Sequence, residues 1–125
     1  MKFYKCNKCG NIFEVIKDSA IVPVCCSESM SELKANTNEE ASVEKHIPVV
    51  VKEKNKVVVY VGKTIHPMEE KHYIEWIAIE TDQGRYLKHL SPGDLPLVTF
   101  SLYDEYEKIL KACAYCNIHG LWSGE

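Results

Sequence analysis

Glycine and proline are scarce in this sequence, at 6 and 5 of 125 residues, and no repeat or low-complexity run occurs. The composition is therefore that of an ordinary globular protein. No apolar run is long enough to span a membrane. The net charge is only -3, and there is no basic run, so nucleic acid is not an expected partner.

The N-terminal residues lack the apolar core of a signal peptide, and we expect a cytoplasmic protein. In a reducing cytosol the six cysteines are more often metal ligands than disulfides. The length suits one domain, or a small module followed by a domain of about 90 residues.

Four of the cysteines lie near the N-terminus. Cys6 and Cys9 are spaced as in a metal knuckle, and Gly10 gives the backbone freedom that the turn needs. An adjacent pair, Cys25 and Cys26, follows. The pattern predicts a closed site with four thiolate ligands, which leaves no position for substrate.

Residues 12–16 and 20–24 are typical of two short strands, and we expect them to form a hairpin that returns the second pair of cysteines to the first. The metal stays open at this point. Zinc would be structural and redox-silent, whereas iron would tolerate a distorted tetrahedron and carry electrons. A module this small needs its metal to fold.

A polar linker separates this module from a second one, and we place the boundary so that the domains comprise residues 1–36 and 37–125. The second domain is rich in β-branched and aromatic segments at even spacing, which predicts an antiparallel sandwich of roughly seven strands. Residues 104–115 fit a helix or a last strand, and we favour the strand. The other predicted strands are residues 48–52, 56–61, 73–80, 85–90 and 97–103.

Histidines are placed at the ends or loops of these strands. A single histidine is more often a surface residue than a ligand, but loops at one end of a sandwich cluster, so four of the five could meet. Cys116 lies three residues before one of them. His89 lies mid-strand and is left out. The proposed five-ligand set is His46, His66, His72, Cys116 and His119.

Cys113 and Cys116 resemble a second knuckle. In a strand, however, residues three apart point to opposite faces. We therefore interpret Cys113 as a buried small residue, with a reactive thiol as the minor alternative.

The chain resembles the desulfoferrodoxin family, the two-iron superoxide reductases, over essentially its whole length. Cys113 is not part of the family pattern. The matching motifs are the Cys6/Cys9 and Cys25/Cys26 pairs, Glu44-Lys45-His46-x-Pro48, His66-Pro67-Met68-Glu69-Glu70-Lys71-His72-x-Ile74-x-Trp76, Pro92-Gly93-Asp94 and Cys116-Asn117-x-His119-Gly120.

The resemblance implies a desulforedoxin-like (rubredoxin-type) N-terminal module with a tetrathiolate iron, followed by an immunoglobulin-like β-sandwich. In the sandwich a second iron would have four imidazoles in a plane and the Cys116 thiolate as axial ligand. It also implies a homodimer, an anaerobic or microaerophilic cell and a rubredoxin-like electron donor.

The implied reaction is the reduction of superoxide to hydrogen peroxide without release of dioxygen. Lys45 is the candidate for attracting the anion and supplying hydrogen bonds, and Glu44 resembles the family glutamate that helps to expel product. Taken from the residues alone, both would be solvated surface charges. Three alternatives remain: a non-catalytic iron electron-transfer protein, a structural zinc module joined to a binding sandwich, and superoxide dismutation.

Overall fold

The computed structural model describes residues 1–38 and 45–124. These residues form β-strands joined by turns and loops, and they contain no helix long and apolar enough to cross a membrane. The chain divides into two compact units, Met1–Lys34 and Ala35–Glu125. The boundary between residues 36 and 37 stays a prediction.

The first unit contains five very short strands. They are β1 (Phe3–Lys5), β2 (Ile12–Glu14), β3 (Val24–Cys25), β4 (Glu28–Ser29) and β5 (Ser31–Glu32). Three of them form an antiparallel sheet in the order β2-β1-β5, and β3 and β4 form a separate hairpin. Tyr4, Cys6 and Met30 are buried together and provide the small core of the unit.

The predicted hairpin between residues 12–16 and 20–24 is wrong. Instead, β2 pairs with β1, with Tyr4 opposite Phe13, so the cysteine knuckle itself connects the two strands of a hairpin. The tight knuckle turn already brings its flanking segments together, and this short connection closes at low entropic cost. The cysteine pair returns through its own hairpin, β3–β4.

The described part of the second unit contains seven strands, in agreement with the roughly seven predicted, although the last one was not among the predicted ranges. They are β6 (Pro48–Glu53), β7 (Lys56–Val61), β8 (Ile74–Thr81), β9 (Arg85–His89), β10 (Leu97–Ser101), β11 (Ile109–Cys116) and β12 (Gly120–Gly124). These strands pair with one another antiparallel, in two sheets with the orders β10-β7-β6 and β12-β11-β8-β9. The strand favoured for residues 104–115 is confirmed only from Ile109 onward, and residues 104–108 lie outside it.

Apolar residues from both sheets form the core of this sandwich. Val57 and Val59 from β7 pack with Val98 and Phe100 from β10 and with Ala114 from β11. The two-residue alternation of these positions is what turns them all to one face. The mainly β fold, an immunoglobulin-like sandwich after a desulforedoxin-like module, is confirmed.

A β-bulge in β8 shapes the end of the sandwich that carries Cys116. Tyr115 pairs with Trp76 and Cys116 pairs with Ile74, so Glu75 is an extra residue on β8. The bulge reverses the alternation, and Ile74 therefore enters the core as Ile77 does. As a result Cys116 ends its strand at a buried position next to Ile74.

Candidate metal centres

The knuckle of the first unit directs backbone amides at two sulfurs. The Cys9 amide donates to the Cys6 Sγ at 3.5 Å, and the Asn11 amide donates to the Cys9 Sγ at 3.5 Å. The Gly10 amide closes the turn by donating a hydrogen bond to the Cys6 carbonyl oxygen at 3.0 Å, and Gly10 has a φ of +83°. That conformation is easy for glycine and costly for other residues.

The adjacent cysteines reach the same point because one ends a strand and the other begins the two-residue turn that follows it. Cys25 ends β3, and Cys26 and Ser27 have φ of 52° and 62°. Two successive positive φ angles define the type I′ turn that suits a tight hairpin. The turn rotates the Cys26 side chain back beside Cys25, which explains how neighbours in sequence can share one ion.

The four sulfurs fit a tetrahedral metal ion. All lie within 4.8 Å of one another, with 3.7 Å between the Cys9 and Cys25 sulfurs and 3.9 Å between the Cys25 and Cys26 sulfurs. A tetrahedron with metal–sulfur bonds of about 2.3 Å separates its sulfurs by about 3.8 Å. Cys6 completes this set, which we call the tetrathiolate site.

The protons of the tetrathiolate site are unevenly held. The Cys9 amide, followed by the Lys8 amide, lowers the pKa of Cys6 to about 6. Hydrogen bonding to the sulfurs of Cys9, Cys6 and Cys25 raises the pKa of Cys26 to about 12. A metal ion that binds here must displace the proton of Cys26, so metal binding is coupled to proton release.

Four histidine rings form a square at one end of the second unit. The centroids of neighbouring rings are 4.6 Å apart for His46 and His66, 4.8 Å for His66 and His72, 5.1 Å for His72 and His119, and 4.8 Å for His119 and His46. The diagonal from His46 to His72 is 6.4 Å. Neighbouring rings meet edge to face, with interplanar angles of 67° to 82°.

The ring nitrogens and one sulfur converge. The His46 Nε2 and the His119 Nδ1 are 3.1 Å apart, and the Cys116 Sγ is 3.8 Å from the same Nδ1. Ligand atoms of His46, His72, Cys116 and His119 all lie within 4.8 Å of one another. Adjacent nitrogens on one ion, with bonds of about 2.1 Å at right angles, are about 3.0 Å apart. We call this set, together with His66, the His/Cys site.

His66 belongs to the square by its ring position, although its nitrogens lie outside the 4.8 Å group. Its Nδ1 lies 2.7 Å from the carbonyl oxygen of Pro67, which can only accept a hydrogen bond. The proton is therefore on Nδ1, and Nε2 carries the lone pair that a metal ion needs. The role of each histidine as a ligand stays a prediction.

Solvent reaches the His/Cys site from one side. His46, His66 and Cys116 are buried, whereas His72 is half-buried and His119 is exposed. Cys116 also packs in the apolar core of the sandwich. The Cys116 thiol thus lies on the side of the site that faces the apolar core. Solvent reaches the site beside His72 and His119.

The two loops that carry histidines are joined by Asn117, which the sequence motifs left without a role. Its Oδ1 accepts from the Tyr73 amide at 3.0 Å, its Nδ2 donates to the Lys71 carbonyl at 3.0 Å, and its own amide donates to the Tyr73 carbonyl at 3.2 Å. The turn containing His119 is therefore fastened to the loop containing His72.

The approach to His46 depends on a glycine. Gly62 has φ +84°, and a Cβ there would collide with the carbonyl oxygens of Lys45 and Thr64. This close approach lets the Lys45-His46 segment pass against the end of β7. Lys45 itself is half-buried, and Glu44 lies outside the described residues.

Cys113 belongs to neither group of cysteines and histidines. Ala112, Ala114 and Cys116 face the apolar core, whereas Cys113 lies on the other face of β11 and is 2% exposed. The interpretation of Cys113 as a buried small residue is confirmed.

Comparison with known proteins gives the same picture for both units. The family model described as desulfoferrodoxin, N-terminal domain, matches residues 1–33, and the one described as desulfoferrodoxin matches residues 38–125. A desulfoferrodoxin of Syntrophotalea carbinolica is 46% identical over 125 residues, which cover 100% of this chain and 96% of the relative. A desulfoferrodoxin homolog of Archaeoglobus fulgidus is 47% identical over 122 residues, covering 98% and 94%.

A solved structure shares the whole architecture. The superoxide reductase from Treponema pallidum superposes with a TM-score of 0.80 at 34% sequence identity, covering 99% of this chain and 96% of that one.

Proposed function

The chain belongs to the desulfoferrodoxin family, and from this premise we propose that it is a superoxide reductase. It converts one superoxide, one electron and two protons into one hydrogen peroxide and releases no dioxygen. The observation that carries this function is the square of four imidazoles with the Cys116 sulfur beside it. The similar fold of a protein named superoxide reductase supports it.

Two iron ions per chain fit the two donor sets. Cys6, Cys9, Cys25 and Cys26 would hold one in the tetrathiolate site. His46, His66, His72, His119 and Cys116 would hold the other in the His/Cys site. Five donors suit iron better than zinc, which favours four. Iron bound there would supply the single electron by changing between its ferrous and ferric states.

The surroundings of the His/Cys site divide the tasks of catalysis between its two sides. The buried side holds Cys116 in the apolar core and keeps water from its sulfur. The side of His72 and His119 is open, so the anionic substrate and its protons arrive there from solvent. This arrangement suits a small substrate that must be protonated and released quickly.

Lys45 attracts the substrate and donates hydrogen bonds to it. It directly precedes His46 in the chain and is half-buried. A local cation is needed because the whole chain has a net charge of -3 and superoxide is an anion. Glu44, its neighbour, would help to expel the product, a role that rests on the family resemblance alone.

We further propose a homodimeric, cytoplasmic protein that protects an anaerobic or microaerophilic cell and takes electrons from a rubredoxin-like donor. Free thiols at all six cysteines suit a reducing compartment. Exposed apolar side chains on the first unit suit a contact between two copies, since isolated small units seldom expose so much apolar surface. They are Phe13, Ile16, Ile21, Val22 and Val24.

The reaction is tested by adding superoxide to the reduced holoprotein and measuring peroxide, dioxygen and protein oxidation together. One peroxide per superoxide and per oxidised His/Cys iron, with no dioxygen, is the expected result. Dioxygen release without consumption of reductant would indicate dismutation. If the protein does not accelerate the loss of superoxide, the result would favour a non-catalytic electron-transfer protein. Zinc in both sites would favour a structural zinc module joined to a binding sandwich.

A further inference from the structure

Trp122 contacts two histidines of the His/Cys site at once. Its indole ring stacks on the His46 imidazole, with centroids 4.5 Å apart and planes 15° apart. Its Nε1–H donates to the carbonyl oxygen of His119 at 3.2 Å. The two histidines come from distant parts of the chain, one before β6 and one in the turn between β11 and β12.

The backbone around Trp122 is held on both sides. Within the sheet, Trp122 lies opposite Ala114, so its side chain shares the inner face of β11 with Cys116. On the outer edge of β12, the Asn36 amide donates to the Leu121 carbonyl at 2.8 Å, and the Ser123 amide donates to the Asn36 carbonyl at 3.2 Å. The indole is 4% exposed and therefore has little room to rotate.

We propose that Trp122 is a positioning residue, which fixes His46 and His119 so that their nitrogens meet one metal ion. The parallel stack sets the plane of the His46 ring, and the hydrogen bond sets the turn that carries His119. Because both contacts come from one rigid side chain, they fix the 3.1 Å separation between the His46 Nε2 and the His119 Nδ1. This proposal depends on the proposed function only for the identity of the metal ion.

The other tryptophan is a matched control. Trp76 is also buried and also stacks in parallel, on Tyr115 at 5.5 Å and 5°. That pair lies on the face of the sheet opposite to Ala114 and Cys116. A substitution at Trp76 therefore removes an indole stack of the same kind from the same sheet without touching the stack on His46.

The test measures metal affinity in the full-length protein. The apoprotein is loaded with Fe²⁺ or Zn²⁺, and release to a chelator is followed separately for the two sites. The tetrathiolate site in the same molecule is the internal reference. W122F keeps an aromatic face but loses the N–H donor, and W122L loses both contacts.

For W122F we expect affinity at the His/Cys site to fall about three- to tenfold, and for W122L about 10- to 100-fold, the range found when groups that orient metal ligands are removed. Affinity at the tetrathiolate site stays unchanged, and W76F leaves both sites unchanged. In the zinc form, the NMR signals of the His46 ring protons lose the ring-current shift in W122L and keep part of it in W122F.

Wild-type affinity in W122F, or equal weakening at both sites or in W76F, would overturn the proposal. If W122L does not fold, W122F and W76F decide by themselves. Activity is measured separately on the wild-type protein. A wild type that fails to reduce superoxide would refute the proposed function and leave the affinity comparison intact.

Discussion

At the scale of single residues, two cysteines three positions apart on β11 show how strongly strand geometry separates similar side chains. Cys116 faces inward at the end of the strand, within 3.8 Å of the His119 Nδ1. Cys113 faces the other side of the sheet and is buried there. The spacing of three residues, which serves one ion in the knuckle turn of Cys6 and Cys9, cannot do so in an extended strand.

Replacing Cys116 by serine removes the only sulfur from the His/Cys site. We expect Cys116→Ser to abolish the visible thiolate-to-iron charge-transfer band of that site, because a hydroxyl is a harder and weaker donor than a thiolate. The bands of the tetrathiolate site remain. Cys113→Ser is the matched control and keeps both spectra. If the charge-transfer band of the His/Cys site survives in Cys116→Ser and disappears in Cys113→Ser, the thiolate ligand is Cys113.

Sequence patterns indicated the candidate ligands but not the residues that hold them. Cysteines and histidines carry their chemistry in their identity, and motifs place them. Trp122 and Asn117 act through a ring stack and through amide hydrogen bonds to distant backbone. Such contacts depend on how loops meet in space, so the spacing of residues along the chain does not predict them.

At the scale of secondary-structure elements, alternation was the most reliable signal. It predicted six strands of the sandwich, β6 to β11, because each long strand has one face in a shared core. The short last strand, β12, was not predicted. The strands of the first unit have only two or three residues, as in β3 and β4. Strands this short do not show a recognisable alternation of apolar and polar residues. Their pairing is set by the turns between them, and for this reason the predicted hairpin was wrong.

Glu107 ties together three elements at the end of the sandwich far from Cys116. Its carboxylate accepts from the Thr81 hydroxyl at 2.5 Å, from the Tyr86 hydroxyl at 2.8 Å and from the Tyr103 amide at 2.8 Å. The Thr81 hydrogen bond, assisted by the other two donors, holds the pKa of Glu107 below its usual range. These donors favour the ionised form.

A lowered pKa in the folded state means that ionised Glu107 stabilises the fold above the pKa of the unfolded chain. This stabilisation is lost as the pH falls through the lower, folded value. We expect Glu107→Gln to lower the Tm by a few degrees at pH 7 and to differ less from the wild type in acid. Thermal unfolding between pH 7 and pH 3 measures this. A difference in Tm that does not shrink with falling pH would contradict it.

Asn117 joins the loop of His72 to the turn of His119, and two of its own three hydrogen bonds to that loop come from its side chain. We expect Asn117→Ala to raise hydrogen exchange at the Tyr73 amide at least tenfold, because that amide loses its acceptor. Asn117→Asp keeps an acceptor oxygen and should protect this amide better than alanine does. Equal exchange in all three proteins would mean that the loops are held elsewhere.

At the scale of the whole molecule, the net charge opposes the proposed substrate. Superoxide is an anion and the chain carries a net charge of -3, so the long-range field slows its approach unless a local cation reverses it. We propose that Lys45, which directly precedes His46 in the chain, supplies this cation. We expect Lys45→Ala to slow the second-order reaction with superoxide about tenfold, within the range known for electrostatic steering.

Salt dependence separates steering from a general loss of activity. Added salt screens the attraction between Lys45 and the anion, so the wild-type rate falls with ionic strength. In Lys45→Ala the remaining field is more negative, and the rate becomes flat or rises with salt. The control is Lys108→Ala, which removes the same charge from an exposed residue before β11, at the end of the strand opposite to Cys116. If Lys108→Ala changes rate and salt response as much as Lys45→Ala does, net charge rather than local position governs the encounter.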